Sequence, residues 1–120
     1  MSDLTRETRE TRVRCKVIRG TGAAHVEVDD TFLRHMVETL ARYSGLDITL
    51  EAEGDMRHHL IEDVAITLGL ALKDAVPMRA ERYGWAVVPM DEALVEAAVD
   101  VGGRPFFVGT PPSGLYTHFL

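Results

Sequence analysis

Two adjacent histidines, His58 and His59, stand just ahead of Glu62 in the stretch HHLIED. On a helix successive residues turn by about 100°, so the two imidazoles diverge while Glu62 falls between them in azimuth, one turn along. Imidazole nitrogens and carboxylate oxygens are ligands for divalent transition metals. Rings splayed in this way serve two ions, or two half-sites, more naturally than one, with Glu62 bridging or joining one of them. The bland alternative is a polar helix start in which Glu62 and Asp63 favour the helix dipole. Ile61, Val64, Ala65, Leu68 and Leu72 follow the spacing of one apolar face and predict a helix from about His58 to Asp74. With Ile61 set at 0°, that face centres near about 340° and the polar patch near about 100°, beside the core and open to a ligand.

Other candidates are weaker on residue type alone. His35 lies about 130° from the centre of a face made by Phe32, Leu33, Met36 and Leu40, so it is accessible, as many surface histidines are. Glu10, in ETRET before the first strand-like run, is an acid or base if the fold brings it to the metals; otherwise it is one acidic surface group among many. Arg82 and Arg104, beside the turns RYG and GGRP, offer the planar fork of donors that suits phosphate, and surface arginines are equally common without one. His25, between Ala24 and Val26, has no partner in view and reads as structural or solvated. His118 sits at the very end, where spacing says nothing. Cys15 is the only cysteine and reads as an inward strand position, which suits a reducing compartment.

These groups need elements to hold them. RVRCKVI alternates Val13, Cys15 and Val17 against Arg12, Arg14 and Lys16, as a half-buried strand does. GTG then offers a turn, with AHVEV returning as the second strand of a hairpin. TFLRHMVETLARYSG predicts a helix capped by Thr31 and stopped at Gly45. LDITLEAEG alternates Leu46, Ile48, Leu50 and Ala52 and predicts another strand. After the His58 helix come Pro77 and strand-like runs: RYGWAVVPM, then ALVEAAVDV, with GGRP turning into FFV and Asp91 and Glu92 in a solvated turn.

The class is α+β, with helices packed on one sheet face. At 120 residues the chain fits a single domain, and 46% hydrophobic with 27% charged residues describes an ordinary globular protein. A net charge of −6 argues against broad nucleic-acid binding. No run approaches the ~18 apolar residues of a membrane span, and the charged start has no apolar leader core, so the expectation is a cytoplasmic protein without membrane partners.

Taken in order, RETRET, FLRHM, HHLIED, RYG, PMDEAL, VDVGGRP and VGT…HF resemble the imidazoleglycerol-phosphate dehydratase family, through nearly the whole chain. The motif HHxxED followed by PMDEAL and VDxxGRP is highly specific. The resemblance implies a fold similar to the second domain of ribosomal protein S5. Residues 1–78 would be a ββαβα first repeat and 79–120 the strands of a second, incomplete one. It implies a homo-oligomer assembled from trimers into a shell of 24 subunits, with sites between subunits. It makes His35, His58, His59, Glu62 and His118 ligands of Mn2+, Glu10 and Glu62 the catalytic carboxylates, and Glu10, Arg82 and Arg104 contacts to a small phosphorylated imidazole. The implied reaction is loss of water from imidazoleglycerol phosphate to give imidazole-acetol phosphate, in histidine biosynthesis. The proton lost is not next to a carbonyl, so activation must come through the metal-bound imidazole ring, with a carboxylate moving the proton.

The chain departs from the family pattern in several places. Arg34 stands where the family usually has Asp before the first-helix histidine, which removes an orienting carboxylate. Only Met56 and Arg57 separate GD from HH, and the segment between GRP and VGT is short. Family members continue into a second HHxxE helix, whereas this sequence ends two residues after His118. Two readings follow: a dehydratase subunit whose site is completed by another copy or polypeptide, or a non-catalytic metal-binding or assembly relative.

Overall fold

The computed structural model describes residues 1–109. Its elements are β1 (Ser2–Glu7), β2 (Thr11–Arg19), β3 (Ala24–Glu27), α1 (Thr31–Ser44), β4 (Leu46–Gly54), α2 (Arg57–Ala75), β5 (Tyr83–Met90) and β6 (Ala93–Asp100). They fall into two compact units, Met1–Ala75 and Val76–Val108.

In the first unit the alternation of β2 and β4 carries the sheet. Val13, Cys15, Val17, Ile48 and Leu50 are fully or almost fully buried, while Arg12, Arg14 and Glu51 face away. Each such aliphatic side chain withdrawn from water contributes roughly 1.5–3 kcal/mol. Burial also pushes the Cys15 thiol up to about 11, so at neutral pH it is an inert core group.

The expected β2–β3 hairpin does not form. The four strands run in the order β1-β2-β4-β3, and β3 pairs parallel with β4 through the α1 crossover. Both edges of β2 are taken: β4 pairs with it from Thr11 opposite Gly54 to Arg19 opposite Leu46, and β1 covers the other side. β1 escapes a reading by hydrophobicity because SDLTRE is a charged edge strand that buries only Ser2 and half of Leu4.

The chain instead passes round the start of β4. One Asp47 oxygen accepts from the amides of Thr21, Gly22 and Ala23 at 3.0, 3.1 and 2.9 Å. Those amides, Ala23 and Thr21 foremost, hold the half-buried Asp47 carboxyl below its ordinary value of 3.8. A group depressed by folding supports the fold above its unfolded value and loses that support as pH falls through the folded one. A carbon-13 titration of the Asp47 carboxyl is therefore expected to give a midpoint below 3.8, and Asp47→Ala to speed exchange of those three amides. An unshifted midpoint would contradict the loop geometry.

α1 is capped by Asp30, not Thr31: the Asp30 carboxylate accepts from the Leu33 amide at 2.9 Å, while Thr31 is already helical. Gly45 ends the helix as expected, at φ 73 with its amide donating to Ala41. The buried stripe is Leu33, Val37 and Ala41, which leaves Phe32, Met36 and Leu40 each more than a third exposed.

α2 matches its expected span but is rotated. Leu60, Ile61, Asp63, Val64, Thr67 and Ala71 are buried, whereas Ala65 is exposed. On the same azimuth the buried face centres near about 280°, not 340°. Two polar residues steer it there. Asp63 accepts from Thr11 Oγ1 on β2 and, at 3.2 Å, from Arg6 Nε on β1, and Thr67 Oγ1 donates to the Asp63 carbonyl at 2.8 Å.

In the second unit β5 and β6 form an antiparallel hairpin, with Met90 opposite Ala93 and Asp91 and Glu92 as its two-residue loop. Asp91 adopts φ 51, the positive backbone angle such tight loops need. Phe106 to Val108, expected as a strand, carry no strand pairing among the described residues.

Candidate metal centre

The corrected rotation of α2 alters the setting of its first two turns. A buried face near about 280° puts the patch of His58, His59 and Glu62, near about 100°, on the opposite side of the helix from the core. All three side chains reach solvent, at 58%, 37% and 55% exposure. The imidazoles diverge as helical spacing requires, with ring centroids 5.7 Å apart and planes tilted by 60°. His58 Nε2 lies 3.8 Å from Glu62 Oε2, and His59 Nδ1 lies 3.4 Å from Asp55 Oδ1. Two donors 3.8 Å apart are compatible with two bonds of about 2.1 Å to one ion at an obtuse angle. The His58–Glu62 pair therefore fits a divalent metal, and His59 is directed elsewhere.

Three connections fix this patch. Asp55, in the loop before α2, donates its amide to the Glu10 carbonyl at 3.0 Å, so the β1–β2 turn is tied to the start of α2. The two pieces meet at Gly54, where an added Cβ would stand 2.9 Å from Thr11 Cγ2 and 3.4 Å from both the Glu10 carbonyl oxygen and Leu60 Cβ. Arg57 pairs with Asp30, which joins the first turn of α2 to the cap of α1. Burial favours the neutral form of Asp30, but the Arg57 hydrogen bond and the Leu33 amide outweigh it and hold the carboxyl below its ordinary value.

The Glu10 backbone is thus tied to the loop before α2, while its carboxylate accepts from Thr8 Oγ1 at 3.4 Å. His35 is exposed on α1, about 160° from the buried stripe, and joins no close group of three metal-binding side chains among the described residues. His118 lies outside the described residues. In the second unit Arg82 and Arg104 line one concavity with Gly102, Gly103 and Phe106. Arg82 is engaged there, donating to both Asp100 oxygens at 2.7 and 3.1 Å.

Three things were missed by spacing alone. Asp55 is the partner of His59 at i−4, a signal present in the sequence. Asp63 is an anchor, not one more dipole-facing acid. His25 is not partnerless: its Nε2 is 3.1 Å from Glu27 Oε1, two residues along the same strand.

Comparison with known proteins agrees with this architecture. The family model for imidazoleglycerol-phosphate dehydratase matches residues 28–115. The imidazoleglycerol-phosphate dehydratase of Pyrobaculum calidifontis is 51% identical over 109 residues, covering 86% of this chain and 58% of its own. That of Chlorobaculum parvum is 43% identical over 110 residues, covering 87% and 57%. The chain thus spans little more than half the length of these curated relatives. Among solved structures, IGPD from Pyrococcus furiosus in complex with (S)-C348 superposes with a TM-score of 0.76 at 36% identity, over 92% of this chain and 63% of that one. The Staphylococcus aureus imidazoleglycerol-phosphate dehydratase gives 0.71 at 27% identity, over 98% and 69%. With matched residues running from the end of β3 past the HHxxE helix and the β5–β6 hairpin, the chain belongs to the imidazoleglycerol-phosphate dehydratase family.

Proposed function

We propose that this chain supplies one half of a manganese site that dehydrates imidazoleglycerol phosphate to imidazole-acetol phosphate in histidine biosynthesis, in a cytoplasmic homo-oligomer whose subunits complete one another's sites. The observation that carries the reading is the placement of His58, His59 and Glu62 opposite the core face of α2, with their donors directed outward and apart. Donors so placed hold part of a coordination sphere and leave the rest to another subunit. In this reading His58 and Glu62 serve one ion and His59 another, and His35 and His118 are assigned to ligand positions contributed across subunits. Manganese, when bound, would supply the Lewis acidity that makes the substrate imidazole easier to deprotonate.

The chain's own groups carry the rest. Glu62 would hold the ion with His58, and Glu10, whose carbonyl accepts from the Asp55 amide of the same loop, is assigned to take the carbon-bound proton. The bond from the ring-adjacent carbon to its hydroxyl breaks, the hydroxyl leaves as water with one proton, and the resulting enol becomes the ketone. Arg104, which has no ion pair among the described residues, is assigned to the phosphate, and Arg82 buttresses its loop through Asp100.

Elemental analysis of the manganese-loaded 120-residue protein, paired with an assay for imidazole-acetol phosphate, tests this. Stoichiometric manganese with turnover is the expected result. Manganese without turnover would favour the second reading, a non-catalytic metal-binding relative. No manganese at all would overturn both.

The oligomer has its own support. Ile66 and Leu70 are 37% and 50% exposed on the side of α2 that carries His59. Leu60, expected to extend that apolar face, is buried in the core instead. A stripe beside the ligands is where a neighbouring subunit would complete them. Leu70→Glu is expected to lower the mass measured by light scattering, and an unchanged mass would sink this packing.

A further inference from the structure

A second group of donors lies on the face of the four-stranded sheet turned away from both helices. Ile48 and Leu50 of β4 point into the core, so Glu51 points out, and Val26 of β3 is half-buried, so His25 and Glu27 on either side of it also point out. The parallel register sets Glu27 directly opposite Glu51. His25 Nε2 is 3.1 Å from Glu27 Oε1, and one ligand atom from each of the three side chains lies within 4.8 Å of the other two. Two donors on one ion are about 3–4.4 Å apart at ordinary bond lengths, so small rotations of these exposed side chains suffice to close the set.

Cations and carboxylates share this face, Arg12, Arg14 and Arg34 lining one concavity with Glu27 and Glu51. The three side chains offer one imidazole and two carboxylates, and the Glu51 carboxylate accepts no hydrogen bond among the described residues. Arg14 is within electrostatic reach of Glu51 but spends its donors on Asp3, at 3.3 and 3.1 Å. We propose that His25, Glu27 and Glu51 form a divalent-cation site of the zinc and nickel class, one nitrogen and two oxygen ligands with the remaining positions open to water, independent of the α2 motif. An ion held there fastens β3, a four-residue strand that among the described residues pairs only with β4, to its neighbour.

The test is calorimetric titration of zinc chloride into the 120-residue chain carrying His58→Ala and His59→Ala, which silences the α2 motif. One zinc per chain is expected to remain. Adding His25→Ala is expected to abolish it. Glu51→Gln, an isosteric change at an exposed position, is expected to weaken it at least ~10-fold, the loss that even an outer-sphere partner produces. Circular dichroism verifies that each variant is folded. Absence of zinc binding in the double variant, or a stoichiometry unmoved by His25→Ala, would overturn the site, and neither result touches the dehydratase reading.

Discussion

Glu62→Gln is expected to lower manganese affinity and turnover by at least about 10-fold, because a ligand contributes no less than the 10–100-fold that outer partners of a metal site contribute. The substitution keeps the shape of the side chain and removes only its charge. If Glu62 were merely a polar residue near a helix start, its loss would cost the helix roughly 0.3–1 kcal/mol and leave manganese binding unchanged. The histidines add a sharper discrimination. His58 is paired with Glu62 and His59 is directed to Asp55, so single alanine variants should each lose only part of the bound manganese. If the two rings served one ion, either variant would lose all of it. Equilibrium dialysis in the His25→Ala background, with manganese counted per chain, separates the two outcomes without interference from the outer sheet face.

The sequence made the strands β2 and β4 readable because their outward residues are mostly charged and their buried inward ones are Val, Cys, Ile and Leu, so a period of two survives along both. It made the end of α1 readable because Gly45 supplies a backbone angle that other residues avoid. The place of β3 was not readable, because it depends on which edge of β2 is already occupied, and the occupant is a strand with almost no hydrophobic signature. The candidate site was half legible. HHxxE announces three donors and their divergence, but not their angle to the core. That angle is decided by Asp63, Thr11 and Arg6, which meet across separations of 52 and 57 residues. A reading that admits only apolar residues to a buried face will rotate such a helix away from its polar anchors. The His25–Glu27 pair, in contrast, follows from strand periodicity alone and needed only β3 to be treated as a surface with two faces.

The same anchor gives the largest expected effect on stability. Asp63→Ala removes the acceptor for Thr11 Oγ1 and for Arg6 Nε, in a place where the Asp63 side chain is only 12% exposed. Hydrogen bonds to a buried charge contribute about 1.5–3 kcal/mol each, and the Arg6 share is discounted because that side chain is 42% exposed. A net loss of about 2–4 kcal/mol follows, which for a unit of this size lowers the melting temperature by roughly 10–20 °C. Asp63→Asn, which keeps an acceptor for Thr11, should fall between the variant and the parent. Ala65→Lys is the matched control. Ala65 belongs to the face that apolar spacing predicts as buried, yet it is exposed, so the substitution should change stability by no more than about 0.5 kcal/mol. Urea denaturation followed by circular dichroism ranks the three variants. The reverse ranking, with Ala65→Lys severe and Asp63→Ala mild, would mean that α2 sits with its Ile61–Leu68–Leu72 side inward. His58, His59 and Glu62 would then lie at the margin of the core, and a metal shared with a neighbouring subunit would lose its geometric basis.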